Sequence, residues 1–196
     1  MRLLLATGNA GKVADFRALA PGGEWAALAD YASLPRVEET GASFEANARL
    51  KAEHYSRFTP EWVVADDSGL EVETLGGAPG IYSARFAGPH GDDAANNRLL
   101  LERLRGVPPE ARAARFVCVL ALARAGKTVA TFEGRAQGRI LKAERGAQGF
   151  GYDPVFYSPA AGRTFAELGP EGKAAFSHRG QAARALLEWV RNKEKS

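Results

Sequence analysis

Two adjacent carboxylates, Asp66 and Asp67, follow the apolar run Val63-Val64-Ala65 and precede Ser68-Gly69-Leu70. The run has the composition of a buried strand, and the carboxyl ends of strands in α/β proteins are where ligands meet the fold. Carboxylates placed there cost desolvation energy unless positive charge meets them. Either a divalent cation or a set of lysines satisfies that need. Glu38-Glu39-Thr40-Gly41 supplies a second acidic pair. The two pairs could share one Mg²⁺, which takes one or two carboxylates together with waters and phosphate oxygens. Lys12, Lys51, Lys173 and Arg179 are the candidate cations, with Arg85 a further one. Phosphoryl transfer is catalysed mostly by positioning and charge neutralisation, so cations converging on such carboxylates point to phosphate chemistry. Taken singly, each cation reads as a solvated surface residue, and Glu38 and Glu39 read as solvated loop carboxylates.

Three further segments carry possible binding groups. Thr7-Gly8-Asn9-Ala10-Gly11-Lys12 is a small-residue loop opening a helix, where backbone N–H groups and the positive dipole end favour an anion. It is not a Walker A loop, because Ala6 and Val13 stand where that motif needs Gly and Ser/Thr. Gly149-Phe150-Gly151-Tyr152-Asp153-Pro154 could bring an aromatic ring against a flat ligand, or could simply flank a turn with core aromatics. Ser177-His178-Arg179 reads as an N-cap and first helical turn, or as donors for a carbonyl or phosphate. One cysteine, and His54, His90 and His178 without ligand spacing, give no zinc pattern. Ser68 has no nearby histidine, so a Ser-His-Asp triad has no support.

The elements that must position these residues follow from periodicity. Arg2 to Ala6 reads as a strand, and Val13, Phe16, Leu19 and Ala20 as a helix face stopped by Pro21-Gly22-Gly23. Trp25 to Leu28 reads as a second strand. Ser43 is a candidate N-cap, with Glu45 in the first turn and a helix running to Phe58. Asn47 and Lys51 project from one side of it. Trp62 to Ala65 is a strand that Leu70 to Thr74 extends or returns. Asp92-Asp93 open a helix through Leu100 and Leu104. Arg115 to Ala123 is a central strand, Gly126-Lys127 a turn, and Thr128 to Ile140 one or two more strands. Ser177 caps a last helix with Ala182, Leu186, Trp189 and Val190 buried.

Composition bounds the class. The chain has 196 residues, 45% hydrophobic and 25% charged, which suits one globular unit. The longest apolar stretch, Phe116 to Ala123, is strand-length, so no membrane span is expected. A lone Cys118 forms no intrachain disulfide and fits a cytoplasmic protein. The net charge of +3 suits anionic small molecules or weak nucleic-acid contact.

Six segments acquire a joint meaning. Thr7 to Lys12, Glu38 to Gly41, Ala65 to Leu70, Gly77 to Arg85, Gly149 to Pro154 and Ser177-His178-Arg179-Gly180 resemble, in order and over nearly the whole chain, the inosine triphosphate pyrophosphatase family. Each is weak alone; together they are highly specific. The resemblance implies an α/β fold: an elongated mixed sheet flanked by helices, with two lobes and an active-site cleft between them, all in one domain over residues 1–196. It implies hydrolysis of ITP, dITP and XTP to the monophosphate and pyrophosphate, dependence on Mg²⁺, and a homodimer without stable nucleic-acid or membrane partners. Carried over by position, Thr7, Gly8, Asn9, Ala10, Gly11 and Lys12 hold the triphosphate. Asp67 is the catalytic carboxylate and a metal ligand, joined at the metal by Glu39 or Glu38. Lys51 neutralises phosphate charge and Ser68 touches substrate. Phe150, Gly151, Tyr152, Asp153, Lys173, His178 and Arg179 surround base and sugar. Two rivals stand beside this reading: a Maf-like nucleotide pyrophosphatase of other base preference, and a non-catalytic nucleotide- or RNA-binding module.

Overall fold

β1 (Leu3–Leu5) is three leucines buried on both faces, as a strand covered on each side by helices must be. It pairs in parallel with β2 (Trp25–Ala27) and with β3 (Trp62–Val72), Leu3 lying opposite both Trp25 and Trp62. The computed structural model describes residues 2–19, 25–31, 34–88 and 91–195. The expected helix stop at Pro21-Gly22-Gly23, the Ala20 position of that helix face, and His90 lie outside them.

Among the described residues the sheet has seven strands in the order β2-β1-β3-β4-β5-β6-β7, with β4 (Ala113–Arg124) at the centre and β5 (Lys127–Ile140), β6 (Phe156–Ser158) and β7 (Arg163–Thr164) beyond it. β5–β6 and β6–β7 pair antiparallel, so the sheet is mixed. The expected α/β class with a mixed sheet is what the chain forms.

α1 (Ala10–Leu19) begins inside the expected loop. The Asn9 side chain accepts from the Lys12 N–H at 3.1 Å, an N-cap that leaves only Thr7 to Asn9 as loop. α2 (Phe44–Tyr55) is capped by Ser43, which accepts from the Ala46 N–H. It stops at Tyr55 rather than Phe58, because Arg57 and Phe58 donate three residues back, to His54 and Tyr55, and close the last turn.

β3 corrects the strand-end expectation. It runs unbroken for 11 residues through Asp66, Asp67 and Ser68. The strand that ends there is β1: the Ala6 N–H donates to the Val64 carbonyl, and the Thr7 N–H then turns back to Leu5. The carboxylates therefore sit on a continuing strand just past the point where its neighbour stops. β4 and β5 are joined by Ala125-Gly126, at φ 51° and 78°, rather than by Gly126-Lys127. Two consecutive positive φ values match the right-handed twist of the hairpin. Thr128 to Ile140 belongs to one strand.

The chain divides into two compact units, Met1–Asp67 with Cys118–Gly134 and Arg179–Ser196, and Ser68–Val117 with Arg135–His178. In the first, Leu3, Leu5, Phe16, Val64, Leu120 and Leu186 join one core beneath α1 and α5 (His178–Glu194). In the second, Leu70, Leu100, Phe116, Tyr152, Phe156 and Phe165 pack together, with α3 (Asp93–Arg103) contributing Leu100. Sequence periodicity missed α4 (Pro170–Phe176), although proline at its first turn and Glu171 beside it are start signals. Among the described residues no helix is long and apolar enough to cross a membrane.

Candidate active site

Neighbours on a strand face opposite ways, and β3 uses that alternation to give Asp66 and Asp67 different surroundings. Asp66 turns toward α1 and α5. The Lys12 ammonium contacts its Oδ1, and Arg179 Nε donates to its Oδ2 at 2.7 Å. Cys118 Sγ donates to the same Oδ2 at 3.3 Å. Arg179 Nη1 also donates to Asp15 Oδ2 at 2.7 Å. Asp66 and Arg179 are each only 1% exposed. Burial pushes the Asp66 carboxyl up, but Arg179 and Lys12 outweigh it and hold it well below the usual carboxylate range. Asp66 is thus an ionised anchor under two cations.

Asp67 turns toward α2. Lys51 Nζ donates to its Oδ1 at 2.8 Å and Asn47 Nδ2 approaches its Oδ2 at 3.4 Å. Asn47 and Lys51, four residues apart on α2, deliver both contacts from one helix face. Lys51 Nζ also donates to Glu39 Oε1 at 3.0 Å, so two carboxylates share one ammonium. Asn47 Oδ1 accepts from the Gly41 N–H at 2.7 Å and fixes the segment that carries Glu39. A Cβ on Gly41 would lie 2.6 Å from that oxygen, so the close approach requires glycine. Burial raises the Asp67 carboxyl against the pull of Lys51 and Lys12, and nearby Glu39 adds to the rise. For the more open Glu39, burial is outweighed by Lys51 and Lys12, and its carboxyl is lowered. Lys51 loses affinity for its proton through burial and regains more from Asp67 and Glu39. Glu38 is exposed, and it is Glu39 that reaches Lys51.

The Thr7–Lys12 segment lies at the N-terminus of α1, with Gly8, Asn9 and Ala10 exposed and Thr7, Gly11 and Lys12 partly so. Thr7 Oγ1 accepts from the Asn9 N–H at 3.1 Å, which shapes the turn. These groups all belong to the first unit.

The second unit brings together a separate set. Ser68 is partly buried on β3. The loop 149–153 is tied by Asp153, whose Oδ2 accepts from the Phe150 N–H at 3.0 Å and from Lys173 Nζ at 2.6 Å. Lys173 Nζ also stands 4.5 Å from the centre of the Phe150 ring. Asp153 and Lys173 are buried, while Phe150 and Gly151 are partly open. Tyr152 is buried, and its hydroxyl donates to the Ser83 carbonyl at 2.8 Å. His178 is buried in a stack with Phe116, centroids 4.7 Å apart and planes at 8°. Aromatic packing and Asp153 thus account for most of these side chains, and Phe150 is among those left partly open.

Among the described residues no three His, Cys, Asp or Glu side chains form a ready metal cage. Sequence reasoning did not pick out Asp15, Asn47, Asp93 or Asn97 as site residues. Two of them had a signal in spacing: Asp15 lies three residues after Lys12, and Asn47 four before Lys51. Asp93 and Asn97 act only through a loop more than fifty positions away, which spacing cannot reveal.

A model of the Ham1 family matches residues 3–189. A dITP/XTP pyrophosphatase of Exiguobacterium sibiricum is 49% identical over 188 residues, covering 95% of each chain. One of Thermus thermophilus is 53% identical, covering 96% of this chain and 91% of its own. Among solved structures, the Staphylococcus aureus Ham1 protein superposes with a TM-score of 0.86 at 39% identity, over 98% of this chain and 100% of that one. A nucleoside-triphosphatase, dITP/XTP pyrophosphatase, of Mycobacterium abscessus gives a TM-score of 0.75 at 47% identity, over 95% and 99%. With the match spanning almost the whole sequence, the chain belongs to the Ham1 family.

Proposed function

We propose that this chain is a dITP/XTP pyrophosphatase that hydrolyses deaminated purine nucleoside triphosphates, ITP included, to the monophosphate and pyrophosphate. The observation that carries the reading is Asp67: a buried carboxyl of raised pKa, oriented by Lys51 and Asn47 beside Glu39, in a chain whose relatives bear that name.

A divalent cation fits the donor set. Two carboxylates, Glu39 and Asp67, share one ammonium, Lys51, so this pair carries more negative than positive charge before a phosphate arrives. A triphosphate deepens that imbalance, and an ion from solution restores it. Glu39 and Asp67 would hold the ion, with Mg²⁺ suited to carboxylate and phosphate oxygens and Glu38 the less favoured neighbour. When bound, the ion supplies charge neutralisation on the phosphates and acidifies water.

The protein's own groups do the rest. Asp67 accepts a proton from the water that attacks the α-phosphorus. The bond from that phosphorus to the bridging oxygen breaks, and pyrophosphate departs. An ordinary aspartate is a poor base at neutral pH, and burial moves Asp67 in the useful direction. Lys12, Lys51 and the N–H groups from Thr7 to Lys12 take the charge of the leaving group. Asp66 does not touch substrate in this scheme; it keeps Lys12 and Arg179 in place. Phe150 stacks on the purine, with Gly151, Tyr152, Asp153, Lys173, His178 and Ser68 shaping the surroundings of base and sugar. We take the whole chain as one catalytic domain, working as a cytoplasmic homodimer.

The test is pyrophosphate release from dITP, XTP, ITP, GTP and ATP with Mg²⁺, with EDTA, and with Asp67→Asn. Turnover of the deaminated purines well above ATP and GTP, lost with EDTA and in the variant, is the expected result. Turnover of another base alone would move the chain to Maf-like chemistry. No turnover of any triphosphate would overturn the reading.

A further inference from the structure

Gly151 is gripped from both sides by one helix. Its N–H donates to Asp93 Oδ2 at 2.7 Å, and its carbonyl accepts from Asn97 Nδ2 at 2.9 Å. Asp93 and Asn97 are four apart on α3, so they present one face and span both polar groups of a single residue. Gly151 sits at φ 61°, a left-handed conformation that an unrestrained loop would leave readily. Next to Asn97, Asn96 Oδ1 accepts from the Ala87 N–H at 2.8 Å, and Tyr152 reaches the Ser83 carbonyl. The same helix therefore fixes the loop 149–153 and steadies the segment on which Tyr152 rests.

The grip carries a cost. Asn97 is 3% exposed, and its Oδ1 has no hydrogen-bond partner among the described residues. A buried acceptor left so is unfavourable, and an aliphatic residue would avoid it. What asparagine supplies in return is the donor to Gly151.

We propose that Asp93 and Asn97 are positioning residues for base recognition: by clamping Gly151 they set the placement of the Phe150 ring. The proposal rests on the reading that Phe150 meets the purine. Neither residue touches the phosphate-side groups, so their loss weakens substrate binding without slowing the chemical step.

The experiment is steady-state kinetics on dITP and dATP with Asp93→Ala, Asp93→Asn and Asn97→Asp, beside thermal unfolding of each. Asp93→Asn keeps an acceptor oxygen for the Gly151 N–H; Asn97→Asp replaces the donor with an acceptor facing a carbonyl. KM for dITP is expected to rise about five- to tenfold in Asp93→Ala and Asn97→Asp, the factor of one hydrogen bond, with kcat within about twofold. Asp93→Asn restores KM to within about twofold of the parent. Unchanged KM in both disrupting variants, a fall in kcat alone, or no recovery in Asp93→Asn would overturn the proposal. Should Asp93→Ala fail to fold, Asn97→Asp decides the matter by the same KM criterion. A parent protein that turns over no triphosphate defeats the functional reading instead, so the two failures are distinguishable.

Discussion

In the first unit, three cations and four carboxylates crowd around the middle of β3, whereas in the second the loop 149–153 is fixed by the Asp153–Lys173 pair and by the Asp93 carboxylate and Asn97 amide of α3. One region concentrates buried and half-buried charge. The other pairs its buried charges closely and leaves Phe150 partly open beside Lys173. The difference teaches that one fold can carry two kinds of construction, one built on charge and one on shape. Electrostatics suits the first, because phosphate oxygens are alike and only charge must be matched. Shape and fixed dipoles suit the second, because purines differ by single donors and acceptors.

The sharpest way to break this comparison is Arg179→Met. It withdraws a buried cation from both Asp66 and Asp15, and the expected loss in denaturant unfolding is about 3–5 kcal/mol, the usual cost of removing one partner of a buried pair. Asp67→Asn is nearly isosteric and should leave stability close to the parent. It should lower kcat about 10³-fold, within the range for a general base, and equally for dITP and XTP. A loss confined to one base would assign Asp67 to recognition.

Smaller effects separate the two ends. Lys12→Ala should reduce kcat/KM by about tenfold or more on every triphosphate alike, as loss of a charged hydrogen bond implies. Phe150→Ala should cost about 1–3 kcal/mol in apparent binding, the worth of one stacked base, and should raise KM for every purine substrate with kcat little changed. If Lys12→Ala alters base preference, or Phe150→Ala lowers kcat without raising KM, the division of labour fails. Gly149→Ala is the mildest. Its new Cβ would lie 2.1 Å from Asp153 Oδ2 at a backbone φ of 80°, and about 1–3 kcal/mol of stability should be lost with kcat preserved.

Local features were the legible ones. The cap at Ser43, the Asn47–Lys51 spacing and the buried stripe of α5 all follow from contacts within one turn or one helix. The polar stretch Asp66-Asp67-Ser68 misled, because a switch from apolar to charged residues ordinarily marks a strand's end. Here Lys12, Lys51, Asn47 and Arg179 satisfy those carboxylates within the strand, and all four come from other elements, Arg179 from 113 positions away. The same remoteness hid the separate fates of Asp66 and Asp67: alternation predicts opposite faces, but only the helices covering each face give them meaning. Arg179 contacts Asp66 and Asp15, which no spacing could foretell.

The Asp66–Arg179 contact joins residues 113 positions apart, and the Asp15–Arg179 contact residues 164 apart. During synthesis at about 5–20 residues per second, β1, α1 and β3 leave the ribosome many seconds before the helix that completes them. Until residues 178–194 emerge, Asp66 cannot enter an apolar interior with its second cation. The nascent first unit must wait in a loosened state while the second, contained within residues 68–178, already has all its parts. Translation order thus makes the charged half of the enzyme the last to have all of its parts.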